Sequence, residues 1–213
     1  MKKHLIICLI LLAALLLSAQ ESPVRDYFAN PGSASFAAAW DYCSQELAKD
    51  STKVSIKILM ANLAAIESKR LSQEIQPDFH TLAAGAKFQF ANLLLAQNQL
   101  EEAVDKYNVI NLEYPKWSCP WRHKGEALYL LKRYKDAEKS IAKAIETNPE
   151  HYDAYVWMAK IQYKLKKYKP ALKNLEIAMT LDPEEEESPD EVISEDSIRA
   201  LHEVLLIKTG KKK

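Results

Sequence analysis

Ala103, Ala137 and Ala171 stand 34 residues apart, and Pro115, Pro149 and Pro183 keep the same interval. Several positions held in phase at that period mean one supersecondary unit written three times, and such units bury their apolar faces by stacking on one another. Every slot of the unit repeats. Ala91, Gly125 and Ala159 place a small residue on what reads as the first helix of each unit, where its partner must approach closely. Ala103, Ala137 and Ala171 do the same on the second helix. Leu100, Tyr134 and Tyr168 fall near the turn between the two. Tyr107, Ile141 and Leu175 then precede Ile110, Ala144 and Ala178 by three residues, a spacing that puts them on one helical face. The prolines close each unit because they lack an N–H and crowd the preceding turn. Only 4 glycines occur among 213 residues, consistent with many helices and few turns.

This pattern resembles the tetratricopeptide repeat (TPR) family, whose unit is a helix-turn-helix of that length. The resemblance covers roughly residues 84–183. It is most specific in the middle unit, where Trp121, Gly125, Leu128, Ala137, Ile141, Ala144 and Pro149 fall on family slots. Lys87 stands where the later units have Trp121 and Tyr155, so the first unit's leading helix is expected to pack differently. The resemblance implies an all-α fold. It would be a right-handed α-solenoid of three TPR helix pairs within 78–183, in units of about 84–117, 118–151 and 152–185, with helical elements at both ends.

Residues 1–19 read separately. Lys2 and Lys3 precede an apolar run from Leu5 to Leu17, and Leu17-Ser18-Ala19 supplies small residues for cleavage, the form of a bacterial export signal. The competing reading is an uncleaved anchor, although the run is shorter than the roughly 20 apolar residues of a continuous span. With cleavage no stable transmembrane span would remain. Gln20 stands where a lipoprotein needs cysteine, and Cys8 lies too early, so the protein is expected to be periplasmic or secreted and not a lipoprotein.

Between the signal and the repeats, 20–32 reads as an irregular lead containing Pro23, Pro31 and Gly32. A helical hairpin is expected over 33–77, either a degenerate repeat or a cap, marked by Phe36, Trp40, Cys43 and Leu47, then by Val54, Ile58, Leu63, Ile66 and Leu71. Asp78 can cap a helix running from about Phe79 into the first unit. After the repeats comes an acidic linker over 184–196. Ser188-Pro189-Asp190-Glu191 has capping-box form and begins a closing helix over 189–209 that carries Ile193, Leu201, Val204 and Leu205, ahead of a basic tail at 210–213. Its expected role is to cover the third unit's open face.

Basic and acidic residues balance at 29 each, which disfavours general affinity for nucleic acid. Six lysines, from Lys160 to Lys173, crowd the third unit ahead of the acidic stretch, either as a solvated face or as a surface over which that stretch folds. The sequence contains no phosphate loop, serine elbow, His-Glu-x-x-His run or Cys-x-x-Cys pair, so no enzyme, cofactor or metal site is expected. Cys119, beside Pro120 at a helix start with His123 one turn on, reads as a small turn residue or as a thiol with lowered pKa. Cys43 and Cys119 are the only cysteines beyond the signal, and in an oxidising compartment they either pair or remain thiols.

The resemblance locates binding on the first helices of successive units, which line a concave groove. Its slots fall on Phe88, Asn92 and Leu95, then Arg122, Glu126 and Tyr129, then Val156, Lys160, Tyr163 and Lys164. Such a surface suits a peptide with an apolar anchor and a carboxylate. The aromatic members can equally serve as packing between helices. The family's dicarboxylate clamp keeps only Asn92 of its slots here, with Phe88, His123, Asp153 and Trp157 in the others, so that ligand class is not expected. The leading expectation is a non-catalytic scaffold or adaptor that binds an envelope protein or peptide through this groove. The alternative is a small-ligand or transport accessory protein that uses the same aromatics as a pocket.

Overall fold

The computed structural model describes residues 23–181 and 194–212, all of whose regular structure is helical. The helices are α1 (Pro23–Ala29), α2 (Ser33–Lys49), α3 (Val54–Ile75), α4 (Ala84–Ala96), α5 (Leu100–Glu113), α6 (Ser118–Leu130), α7 (Tyr134–Thr147), α8 (Tyr152–Lys164), α9 (Tyr168–Ala178) and α10 (Glu195–Lys208). They form two compact units that divide at Asp78. The export signal, Pro183, the Ser188–Glu191 capping box, Ile193 and most of the acidic linker lie outside the described residues.

In the N-terminal unit, α1 packs on α2 and α2 on α3. The segment expected to be irregular contains helix α1. Pro23 sits at its first position, where a missing N–H costs nothing, and Val24 and Tyr27, three apart, both enter the core. The apolar face of α3 also differs from the expected one at every marker but Leu63. Val54 and Ile58 are 63% and 52% exposed, whereas Ile56, Leu59, Leu63 and Glu67 turn inward. Two apolar stripes run along this helix, and the hairpin partner covers only one.

Glu67 is the polar member of that buried stripe. Arg70 Nε and Nη2 donate to its two oxygens at 2.9 and 2.7 Å, and the Tyr27 hydroxyl donates at 3.1 Å. Arg70 also reaches Ser33 Oγ at 2.9 Å, so one carboxylate ties all three helices together. The Arg70 hydrogen bonds hold the Glu67 carboxyl below its ordinary pKa, while burial beside that carboxylate raises the Tyr27 phenol.

The second unit carries the repeats. First helices begin at Ala84, Ser118 and Tyr152, second helices at Leu100, Tyr134 and Tyr168. The expected helix from Phe79 does not form. Gln76–Thr81 is a 3₁₀ turn around Pro77, which seats Phe79 fully buried against Phe90, and α4 begins five residues later. Ala103, Ala137 and Ala171 are fully buried, as are Tyr107, Ile141 and Leu175. Apolar clusters run on from pair to pair: the middle one takes in Val104 of α5 and Ala154, Trp157, Met158 and Ile161 of α8, and Leu95 belongs to the margins of both the first and the middle. Lys87, in the aromatic slot, is buried and directs its ammonium to Glu113 at 2.6 Å, linking the start of α4 to the end of α5.

A device that the sequence did not announce recurs at each turn within a pair. Asn98, Lys132 and Lys166 have φ of 59°, 62° and 61°. The amides that follow them, from Gln99, Arg133 and Lys167, donate to Leu94, Leu128 and Gln162 carbonyls at 2.8–2.9 Å. This is a Schellman-type closure repeated at the period of the array. Only Asn98 is a residue that favours the left-handed region; the two lysines are held there by the helices on either side.

The third pair is closed by α10, which packs on α9 and α8. Ser194 caps it by accepting from the Ser197 amide at 3.3 Å. Ile198 and Leu205 enter a cluster with Val156, Leu172 and Leu175, while Val204, expected to face inward, is exposed.

Candidate functional site

First helices of neighbouring pairs pack on one another, α4 on α6 and α6 on α8, more closely than second helices do. Helices that approach more closely on one side of a stack make that side the inner one. The residues expected to line it divide into three groups.

Phe88, Asn92 and Leu95 are half-buried. Phe88 meets Trp117 at 4.8 Å and the edge of His123 at 5.1 Å, and His123 stacks at 6.1 Å on Tyr107. The Tyr107 hydroxyl donates to Asn92 Oδ1 at 2.7 Å, which leaves the Asn92 amide nitrogen as a donor. Burial, helped by the Glu126 charge, raises the Tyr107 pKa well above that of an ordinary phenol, so the hydroxyl remains a donor. Trp117 and His123 complete this aromatic patch. Trp117 falls on no slot carried over by the resemblance, and His123 falls only on a slot of the dicarboxylate clamp, a ligand class not expected here.

The second group is not open to a partner. Arg122 is 3% exposed; its Nη1 donates to Glu126 Oε2 at 2.7 Å and its Nη2 lies 3.5 Å from Asp153 Oδ2. Glu126 is buried with it. An arginine expected to meet a ligand carboxylate instead satisfies two carboxylates of its own chain and fixes α6 against α8. Val156 is fully buried beneath α10 and cannot line a groove.

The third group continues the surface. Tyr129 is half-buried and packs edge-on against Trp157 at 5.4 Å. Lys160 Nζ stands 5.5 Å above the Trp157 ring, and half-buried Tyr163 and exposed Lys164 follow on α8. Burial raises the Tyr129 phenol, with Lys164 opposing. The buried Trp157 Nε1 has no acceptor among the described residues. The accessible inner face is therefore Phe88, Asn92, Leu95, Trp117, His123, Tyr129, Lys160, Tyr163 and Lys164, aromatic along its length and basic at its C-terminal end.

Cys43 and Cys119 both carry thiols rather than a disulfide. Cys43 is buried in the N-terminal core, where burial raises its pKa. No cluster of three metal-ligating side chains occurs among the described residues, and no described helix is long and apolar enough to cross a membrane.

Stacked helix pairs with an inner face built from their first helices define a helical-repeat solenoid. The tetratricopeptide repeat family model matches residues 128–187, the stretch from late α6 through the third pair, and together with the fold it supports that family. Solved structures show the same fold. The first TPR domain of human RPAP3 is 21% identical with a TM-score of 0.51, over 60% of this chain and 95% of that one. The Sgt2 TPR domain from Aspergillus fumigatus is 14% identical with a TM-score of 0.51, over 60% and 80%. The Arabidopsis OM64 TPR domain is 17% identical with a TM-score of 0.50, over 57% and 93%. No curated protein matches the chain in sequence.

Proposed function

We propose that this protein is a non-catalytic scaffold or adaptor that holds a peptide segment of a partner protein along the inner face of its three helix pairs. The observation that carries this reading is the row of incompletely buried aromatic side chains, Phe88, Trp117, His123, Tyr129 and Tyr163, on or beside three successive first helices. Aromatic side chains supply large apolar contact at little entropic cost, which is why they dominate binding surfaces. A row that extends over three helices suits a segment of chain better than a compact ligand. Lys160 and Lys164 favour an acidic residue at one end of that segment, and the Asn92 amide can donate to a backbone carbonyl. The partner is proposed to lie in the cell envelope, since Lys2, Lys3 and the apolar run that follows have the form of an export signal.

The test is crosslinking and recovery of partners from envelope extracts of the native host. Tyr129→Ala with Lys160→Ala should lose a partner that the parent protein retains. Equal recovery by both proteins would exclude this face as the binding surface. N-terminal sequencing of the exported protein should begin at Gln20; a protein that still begins at Met1 would overturn the cleaved signal.

A further inference from the structure

The turns within the middle and third pairs repeat one motif at the period of the array, Leu131-Lys132-Arg133-Tyr134-Lys135 and Leu165-Lys166-Lys167-Tyr168-Lys169. Stacking of the pairs places both turns on one edge of the second unit. In each, the central cation is spent on a carboxylate of the preceding pair. Arg133 lies 3.3 Å from Glu101 on α5, and Lys167 lies 2.8 Å from Glu138 on α7. The flanking lysines are not spent. Lys132, Lys135, Lys166 and Lys169 are exposed and meet no carboxylate among the described residues. Nearby Asp136 is already shared by Arg133 and Lys139. The fold does not ask for these lysines. The first pair has Asn98, Gln99 and Glu101 in the equivalent slots, and Lys132 and Lys166 hold φ of 62° and 61°, a conformation in which asparagine or glycine costs less. A disfavoured residue present twice in an exposed turn points to a use outside the fold.

We propose that this edge is a docking surface for an anionic lipid bilayer. Lysines are flexible point charges, and here they stand at the tips of two turns about 10 Å apart, the spacing of packed helices, rather than converging on a single anion. Such an array matches the diffuse negative charge of a headgroup layer. Leu130, 45% exposed at the end of α6, adds an apolar side chain to the same edge. The chain as a whole is neutral, so attraction to a charged surface comes from a local patch of this kind. This edge is separate from the inner face and independent of its partner.

The test is surface plasmon resonance of the protein, purified from its native host, on immobilised vesicles of equal parts phosphatidylglycerol and phosphatidylcholine. Vesicles of phosphatidylcholine alone and immobilised polyglutamate are the parallel arms. The anionic vesicles should bind more strongly than either, and added salt should weaken the binding. Lys132→Gln, Lys135→Gln, Lys166→Gln and Lys169→Gln should each weaken it about fivefold. The four together should abolish the preference for anionic vesicles. Lys143→Gln, the same loss of charge toward the far end of α7, should leave it unchanged. All these side chains are exposed, so the variants should fold as the parent does. No preference for anionic vesicles, a quadruple variant that binds like the parent, or an equal loss in Lys143→Gln overturns the proposal. Stronger binding to polyglutamate assigns the edge to an acidic protein and overturns the choice of a bilayer. Vesicle binding that appears only when Glu184, Glu185, Glu186 and Glu187 are changed to glutamine assigns the edge to that stretch of the chain and overturns it too.

Discussion

Gly125 shows how closely the middle helices approach. A Cβ built there would lie 2.5 Å from Ile141 Cγ1 and 3.5 Å from the Ala137 carbonyl oxygen. Gly125→Ala should therefore lower stability by about 1–2 kcal/mol in chemical denaturation, overpacking outweighing alanine's better helix propensity. Ile141→Val in the same chain should recover part of the loss. Lys132 presents the opposite case. It is exposed and held at φ 62°, a region that costs an L-residue roughly 1–2 kcal/mol. Lys132→Gly should raise the denaturation midpoint, by about 0.5–1 kcal/mol in stability. Nothing about a lysine announces a left-handed residue; the flanking helices impose it.

Between elements, polar groups do the fastening. Arg122 joins α6 to α8 through Asp153 and stabilises Glu126 on its own helix. Arg122→Ala leaves two buried carboxylates without their cation and should destabilise the repeats by about 3–5 kcal/mol, read in denaturant melts. In the N-terminal unit the corresponding fastening is Glu67. Its folded pKa lies below its unfolded value, so its contribution is complete above the ordinary carboxylate range, about 4.3, and is lost as pH falls through the depressed folded pKa. Hydrogen-exchange protection in α1–α3, taken relative to the intrinsic exchange rate at each pH, should fall on acidification in the parent protein. Glu67→Gln should exchange faster already at neutral pH and respond less to acid. Of the apolar markers read on α3, Leu63 is buried as expected, whereas Val54, Ile58, Ile66 and Leu71 lie on the exposed stripe. The apolar residues of this helix satisfy helical spacing equally well on two faces, and a polar residue at the centre of the buried one is invisible to a hydrophobicity pattern.

Across the whole molecule, the second unit is a linear stack in which each pair contacts its neighbours, so damage should remain local. Leu205→Ala removes a fully buried side chain between α10 and the third pair. It should cost about 2–4 kcal/mol and reduce exchange protection in α8, α9 and α10, with α4 and α5 little affected. Uniform loss of protection would mean that the array unfolds as one body. The sequence by itself determined the repeating helix pairs, their small-residue contacts and the need for a closing helix. Those properties follow from local periodicity and side-chain size, which a linear pattern records. Tertiary structure alone decided which candidates for the inner face stay accessible. Arg122, Glu126 and Val156 are buried because residues far along the chain, Asp153 and the side chains of α10, come to lie against them. Burial is a property of neighbours in space, and a one-dimensional pattern carries no record of which neighbours arrive.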